Sequence, residues 1–375
     1  MSSTNQQIDG PRGCQEHELA PTVDLLNLVM RRAVGLPPTI GSDYPHVYCA
    51  GNRENMRIIK MGGRVVSHAA LFLTENKVGS RSLRVAGLGC MVTHPDYRHR
   101  GLGSAVVEDF VRRMTELEAD VGWLGTDIPD WYRRLGWEKA GREHIYKLDR
   151  GNADLLPTVE GYEVRQDYQS YLEQMLTLHQ EHPFGTNRSL GLFKLLLDRP
   201  DTDRWPQLKT YLATRQEQLG AYVVVSGKEV VEHAGRPEVV AGLVREVFRR
   251  EDETVVSTSE RDDTGAPVLD ASLLVHTPAA DDGLSGVLAG IGIPRSESYV
   301  GLLRIPDLAR LLNKLGLDEI EVRRHEDGVV LTRGGESCTL SPRQQVKLVF
   351  GPERVTDFAA DLFPVPFYHW PLDYI

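Results

Sequence analysis

The segment Met91-Val-Thr-His-Pro-Asp-Tyr-Arg98-His-Arg-Gly101-Leu-Gly103-Ser-Ala-Val106 restricts this chain more than any other. The apolar run from Leu83 to Thr93 reads as a strand, and Pro95 turns it. From Leu102 to about Leu117, the residues Leu102, Val106, Val107, Phe110 and Met114 recur at the spacing of a core-facing helix. Gly101 and Gly103 let the backbone turn tightly and approach a ligand closely. Several N–H groups can then converge where the helix presents its positive end. Arg98 and Arg100 add charge-assisted donors. Strand, glycine turn and helix in this order make a pyrophosphate cradle in an α/β fold. A glycine pair beside arginines also occurs in surface loops that bind nothing, so the neighbouring elements decide.

Those neighbours are strands and helices in alternation. Residues 1–18 are polar and read as loose, and a helix is expected from Pro21 to Val34. Strand-like runs Arg57–Met61 and Val65–Leu73 flank Gly62-Gly63, the signature of an antiparallel hairpin. A short strand at Val121–Leu124, a turn and helix at Pro129–Leu135 and a strand at His144–Leu148 follow, and polar Asp149–Pro157 reads as a linker. At 375 residues the chain is long for one compact domain. A second unit has a helix near Gln169–Gln180, a strand at Leu219–Val225 and a helix near Pro237–Arg250, an order that echoes the first without its glycine loop. In a third unit, Ile305–Leu315 and Ser341–Phe350 read as helices and Ile320–Arg323 and Gly328–Thr332 as strands. The end, Phe363-Pro-Val-Pro-Phe-Tyr-His-Trp-Pro-Leu-Asp-Tyr-Ile375, is too aromatic to float in water. Burying such side chains stabilises by roughly 1.5–3 kcal/mol each, so the tail is expected to dock.

Composition narrows the chemistry. With 53 acidic against 43 basic residues the net charge is −10, which disfavours nucleic acid and anionic membranes as partners and suits a cationic substrate. No apolar stretch is long enough to span a membrane and the start carries no apolar leader, so a cytoplasmic protein is expected. Cys14, Cys49, Cys90 and Cys338 are scattered without metal spacing, so reduced thiols and no metal are expected.

A second motif, Gly125-Thr-Asp-Ile-Pro-Asp-Trp-Tyr132-Arg-Arg-Leu-Gly136-Trp137, follows the cradle. Together, Arg98-x-x-Gly101-x-Gly103 and Tyr132 before Leu-Gly-Trp resemble the GCN5-related N-acetyltransferases, the GNAT superfamily, over residues about 20–148. The resemblance implies acetyl-coenzyme A as cosubstrate. Met91, Val92 and Thr93 would take the pantetheine arm, and Arg98, His99, Arg100, Gly101, Leu102, Gly103 and Ser104 the pyrophosphate, with Asp127 and Ile128 also at the coenzyme. It makes Tyr132 the general acid that protonates the leaving thiolate. A phenol of pKa roughly 10 can do this at neutral pH. The plainer alternative is a helix tyrosine with its ring in the core.

The base is less direct, because Val85-Ala-Gly-Leu-Gly-Cys-Met-Val-Thr93 contains no carboxylate. Cys90 reads as a small buried hydrophobe, and His68, His94 and His99 qualify by type alone. The three-part layout is similar to the enhanced intracellular survival (Eis) acetyltransferases. That resemblance implies a GNAT catalytic domain at 1–150, a degenerate second GNAT-like domain at 158–292 and a sterol-carrier-like α+β domain at 296–375. It also implies a homo-oligomer, hexameric in that family, and a terminal carboxylate, here that of Ile375, acting as base. The implied reaction is acetyl transfer to a primary amine of a small molecule or lysine by direct attack. The rivals are a non-catalytic coenzyme A or lipid-binding module using the C-terminal domain, and a nucleotide enzyme, for which no GxxxxGK[ST] is present.

Overall fold

The computed structural model describes residues 7–258, 272–280 and 283–375. The first unit begins with strand Ile8–Gly13 (β1), helix Leu19–Met30 (α1) and the single turn Ile40–Asp43 (α2). Strands Met56–Met61 (β2), Arg64–Val78 (β3) and Arg81–Thr93 (β4) then make an antiparallel meander with β1 at its edge. Helix Leu102–Glu116 (α3) crosses over, and Val121–Leu124 (β5) returns parallel to β4. Its apolar stripe is buried as the spacing predicts, with Val106, Val107, Phe110 and Met114 fully inaccessible. Removing the Phe110 ring from that layer would cost about 3–5 kcal/mol. A short helix, Pro129–Arg133 (α4), and strands Glu138–Ala140 (β6) and Glu143–Asp149 (β7) complete the segment.

The expectation that residues 1–18 are loose is corrected for those described; residues 1–6 lie outside them. Arg12 ties β1 down by donating to both carboxylate oxygens of Asp9 (2.8 and 2.6 Å) and of Glu18 (2.8 and 2.8 Å). Lys60 on β2 reaches the same Glu18 at 2.6 Å. The Asp149–Pro157 stretch is likewise no free linker, since Ala153 and Leu156 are buried in the second core.

The second unit contains Glu163–Arg165 (β8), Leu172–Glu181 (α5), Phe184–Asn187 (β9), Leu190–Leu197 (α6), Lys209–Arg215 (β10), Gln218–Ser226 (β11) and Glu229–Gly235 (β12). It continues with Pro237–Thr258 (α7), Ser272–Pro278 (β13), Leu284–Gly290 (α8) and Arg295–Ser298 (β14). The last part comprises Gly301–Arg304 (β15), Leu308–Lys314 (α9), the meander Glu321–His325, Gly328–Arg333 and Glu336–Leu340 (β16, β17, β18), and Pro342–Phe350 (α10).

The two large sheets share one plan. In the first the order is β1-β2-β3-β4-β5-β15-β6, with β9 added on β3; in the second it is β8-β10-β11-β12-β13-β7-β14. Each has three antiparallel pairings, one parallel pairing reached through a long helix (β4 with β5, β12 with β13), and two further antiparallel pairings. The sixth strand of each sheet comes from the other segment. β15 pairs Leu303 with Trp123 in the first sheet, and β7 pairs Tyr146 with Val275 in the second. The sheets therefore cut across the chain positions 150 and 296. The inner faces of both sheets, together with α1, α5 and α6, bury a common cluster that includes Ile58, Phe193, Tyr222, Val224 and Leu372. A separate cluster joins the meander, α9, α10 and the tail to the edge of the first sheet through Trp123, Phe350, Phe367 and Trp370.

Candidate active site at a splayed strand pair

The site starts from a gap in the first sheet. β4 runs beside β3 as far as Thr93, but its pairing with β5 spans only Val85–Gly87. Past Gly87 the parallel pairing ends, while β5 keeps β15 on its other edge as far as Leu124. The register between β3 and β4 also slips here: Ala70 faces Gly89 and His68 faces Val92. The extra residues of that bulge include Cys90, held at φ 38°. Cys90 is buried, and burial pushes its thiol pKa up to about 11, as suits the inert hydrophobe expected.

Beyond the bulge lies the glycine turn. His94 accepts a hydrogen bond from the Asp96 N–H (3.3 Å), Arg98 Nε donates to the Thr93 carbonyl (3.3 Å), and Arg100 donates to the Asp96 carbonyl (3.3 Å). Gly101 caps α3 at φ 74°, a conformation a side chain would resist, and an added Cβ there would meet nothing within 4 Å. The first bond within α3 runs from the Ala105 N–H to the Gly101 carbonyl (3.0 Å), so the N–H groups of Leu102, Gly103 and Ser104 precede it. Gly103 faces Thr93 Oγ1, Trp131 and Met91, which lie 3.4–3.6 Å from the position of an added Cβ. Met91, Thr93 and Gly103 thus lie together, with Arg98, His99 and Arg100 exposed on the turn between them. Open backbone donors beside two guanidinium groups suit a pyrophosphate. Asp127 and Ile128 stand exposed on the loop before α4, where the Ile128 N–H bonds Thr126 Oγ1 at 3.1 Å. Trp131, beside Tyr132, was a readable aromatic that the sequence reasoning passed over.

Tyr132 sits on α4, which Pro129 starts, and its ring meets Trp131 edge-on at 4.7 Å. It is buried, and burial, then the neighbouring Cys90 thiol, push its pKa up to about 12. Its O–H therefore remains a donor throughout the physiological range. Among the histidines, His68 is fully buried and burial holds its pKa down to about 3, while His94 is spent capping its turn and His99 is exposed.

The other wall is the tail. A Cβ on Gly87 would fall 2.8 Å from Ile375 Cδ1, and one on Gly89 would fall 3.6 Å from the Ile375 main-chain carbonyl carbon. Residue 375 is thus laid across two side-chain-free positions of β4, beside the bulge. Asn76 on β3 bonds His369 Nδ1 (2.9 Å), and Tyr374 packs on Trp123 at 4.7 Å. Asp373 takes two bonds from Arg188 (2.9 and 2.7 Å), and the same guanidinium donates to both oxygens of Glu232. The Tyr222 hydroxyl donates to that Glu232 at 2.8 Å. Burial alone would raise Asp373, but Arg188 outweighs it and holds the carboxyl below its usual range. None of Arg188, Glu232 and Arg199 was legible beforehand, since each is an isolated residue far in sequence from the tail.

Residues 12–140 match the family described as the acetyltransferase (GNAT) domain. Residues 12–140 thus carry an acetyltransferase domain of the GNAT class. More particularly, the chain resembles the Eis-like members of that class. Eis1 from Mycobacterium abscessus superposes with a TM-score of 0.56 at 16% identity, covering 89% of this chain and 85% of its own. A probable N-acyltransferase from Enterococcus faecalis V583 gives a TM-score of 0.62 at 13% identity, covering 91% and 86%. A GCN5-related N-acetyltransferase from Kribbella flavida gives 0.61 at 16% identity over 100% of both chains. At such identities the structural likeness bears on the fold alone. No curated protein matches the sequence.

Proposed function

We propose that the chain is an N-acetyltransferase that moves an acetyl group from acetyl-coenzyme A to a primary amine of a small molecule or lysine by direct attack. The observation that carries the reading is the meeting of the tail with the splayed strand: Ile375 over Gly87 and Gly89, beside the bulge at Cys90. The coenzyme, when bound, supplies the thioester. Arg98, Arg100 and the N–H groups of Leu102, Gly103 and Ser104 would hold its pyrophosphate, and Met91, Val92 and Thr93 its pantetheine arm.

The Val92 N–H donates to the carbonyl oxygen as negative charge develops there. The Ile375 carboxylate, directly or through water, accepts the proton of the attacking nitrogen. As the C–S bond breaks, Tyr132 donates to sulfur; with a pKa raised to about 12, its phenol serves as a hydrogen-bond donor whose lost proton is restored from solvent. On the same reading residues 158–292 form a degenerate second GNAT-like domain. The shared strand order supports this, and Gly235-Arg236-Pro237 stands where the first unit has its glycine turn. Residues 296–375 form a sterol-carrier-like domain, and a cytoplasmic homo-oligomer, hexameric by resemblance, completes the picture.

The test is calorimetry with coenzyme A on the intact chain and on the double variant Arg98→Ala, Gly101→Asp. Binding to the first and its loss in the second supports the cradle. No binding to the intact chain would overturn the reading in favour of a module without transferase activity.

A further inference from the structure

Across the three central strands of the first sheet, one register row reads Phe72, Gly87, Trp123: Gly87 on β4 pairs with Phe72 on β3 and with Trp123 on β5. Partners in one row project to the same face of a sheet. The row is therefore a slot one residue wide, with a bare glycine as its floor and an aromatic residue on either side. The next position of β4 on that face is Gly89, opposite the small Ala70, and there β5 no longer pairs with β4. The intervening Leu88 belongs to the opposite face, in the cluster of Val106 and Phe110 on α3.

The side chain of Ile375 lies in this slot. An added Cβ on Gly87 would stand 2.8 Å from its Cδ1 and 3.3 Å from its Cγ1, and one on Gly89 would stand 3.4 Å from both. Phe72 packs in the same cluster as Ile375 and Cys90, and Tyr374 covers Trp123 at 4.7 Å. Glycines inside a strand mark such a close approach.

The slot is in line with the coenzyme on the reading given above. There the pantetheine arm runs from the cradle along Thr93, Val92 and Met91, and its sulfur meets Tyr132, the neighbour of Cys90. Continued in the same direction along β4, an acyl chain reaches Gly89 and then Gly87, where the pairing with β5 closes the gap. That stretch is about 7 Å of strand. Neither of its rows carries a charged side chain, so its walls suit an alkyl chain. We propose that the Ile375 side chain sets the length of the acyl group: it plugs an apolar slot that would otherwise take a butyryl chain, and so holds the donor to acetyl-coenzyme A. The proposal rests on the acetyltransferase reading and gives Ile375 two separable parts, a main-chain carboxylate for the proton and a side chain for specificity.

The test is calorimetry on the full chain with coenzyme A, acetyl-coenzyme A and butyryl-coenzyme A, which needs no acceptor. Free coenzyme A is the reference for each variant. In the wild type, butyryl-coenzyme A should bind no tighter than acetyl-coenzyme A. Ile375→Ala keeps the main-chain carboxylate and empties the slot. The affinity ratio of butyryl over acetyl should then rise about tenfold, since each buried methylene contributes about fourfold. Adding Gly87→Ala to Ile375→Ala puts a methyl back on the floor, and the ratio should return toward the wild-type value. Tighter binding of butyryl- than of acetyl-coenzyme A to the wild type overturns the proposal. So does a ratio unmoved by Ile375→Ala, or one left high by the second substitution. Binding of neither coenzyme A nor its thioesters to the wild type would instead mark the failure of the acetyltransferase reading itself.

Discussion

Ile375 and Gly87 are separated by most of the chain, yet an added Cβ on Gly87 would come within 2.8 Å of Ile375 Cδ1. The central strand is bare where the tail lies on it, so substitution there should act on the tail before it acts on the fold. Gly87→Val is expected to lower kcat by about tenfold or more while coenzyme affinity stays within about twofold, since the cradle lies past the bulge. Steady-state kinetics beside calorimetry read this; an unchanged kcat would remove the tail from the reaction.

The terminal carboxylate itself can be tested without touching a side chain. Deleting Ile375, or appending one alanine after it, moves the charged group away from Gly89. A lost general base typically costs about 10²–10⁴ in rate, and that loss in kcat is the expected outcome. Full activity of the extended chain would exclude the carboxylate as base.

Tyr132→Phe keeps the ring and its contacts with Trp131 and Trp137 while removing the donor. Turnover should fall by about 10²-fold with coenzyme binding little changed. Wild-type turnover would leave the hydroxyl no role.

Arg188→Met strands two buried carboxylates, Asp373 and Glu232, that now share one guanidinium. Breaking one partner of such a buried group costs about 3–5 kcal/mol. A clear drop in the urea midpoint is therefore expected, with loss of turnover as the tail loosens. If stability were unchanged, the tail would be held mainly by its aromatic residues.

Acid should destabilise the protein well before its carboxylates titrate. Burial lowers the pKa of His68 from 6.5 to about 3 and that of His369 from 6.5 to about 4. As pH falls through 6.5 the unfolded chain takes up protons that the native state refuses. Stability that is full above 6.5 is therefore lost progressively toward those lower values. At pH 4.5 each group should account for on the order of 2–3 kcal/mol. Urea titrations at pH 7 and 4.5 measure the loss, and His68→Phe should reduce it; an equal loss in the variant would argue against His68 as a source.

How much of this could be read from the sequence depended on distance along the chain. The glycine turn, α3 and Tyr132 are local: spacing alone places Leu102, Val106 and Phe110 on one face, and Gly101 where φ is positive. β1 escaped notice because Ile8-Asp-Gly-Pro-Arg-Gly13 lacks alternation and is held by the ion pairs of Arg12 instead. The tail could be expected to dock, but its partners could not be named. Arg188 meets Asp373 across 185 positions, and no periodicity encodes such a meeting. The pattern at His144–Leu148 marks β7 as a strand without saying which sheet it completes, and the four residues of β15 are too short a run to stand out.

That exchange bears on how the molecule comes into being. Because Gly301–Arg304 lies between β5 and β6, the Trp123 edge of the first sheet stays open until more than three hundred residues have been made. The second sheet instead takes in a strand synthesised before all its others, β7. Completion of the first unit before the second is thereby denied to this architecture, and such non-local pairing slows folding. The last strand of the second sheet, Arg295–Ser298, is made before the strand that closes the first, so the sheet begun first is the one finished last.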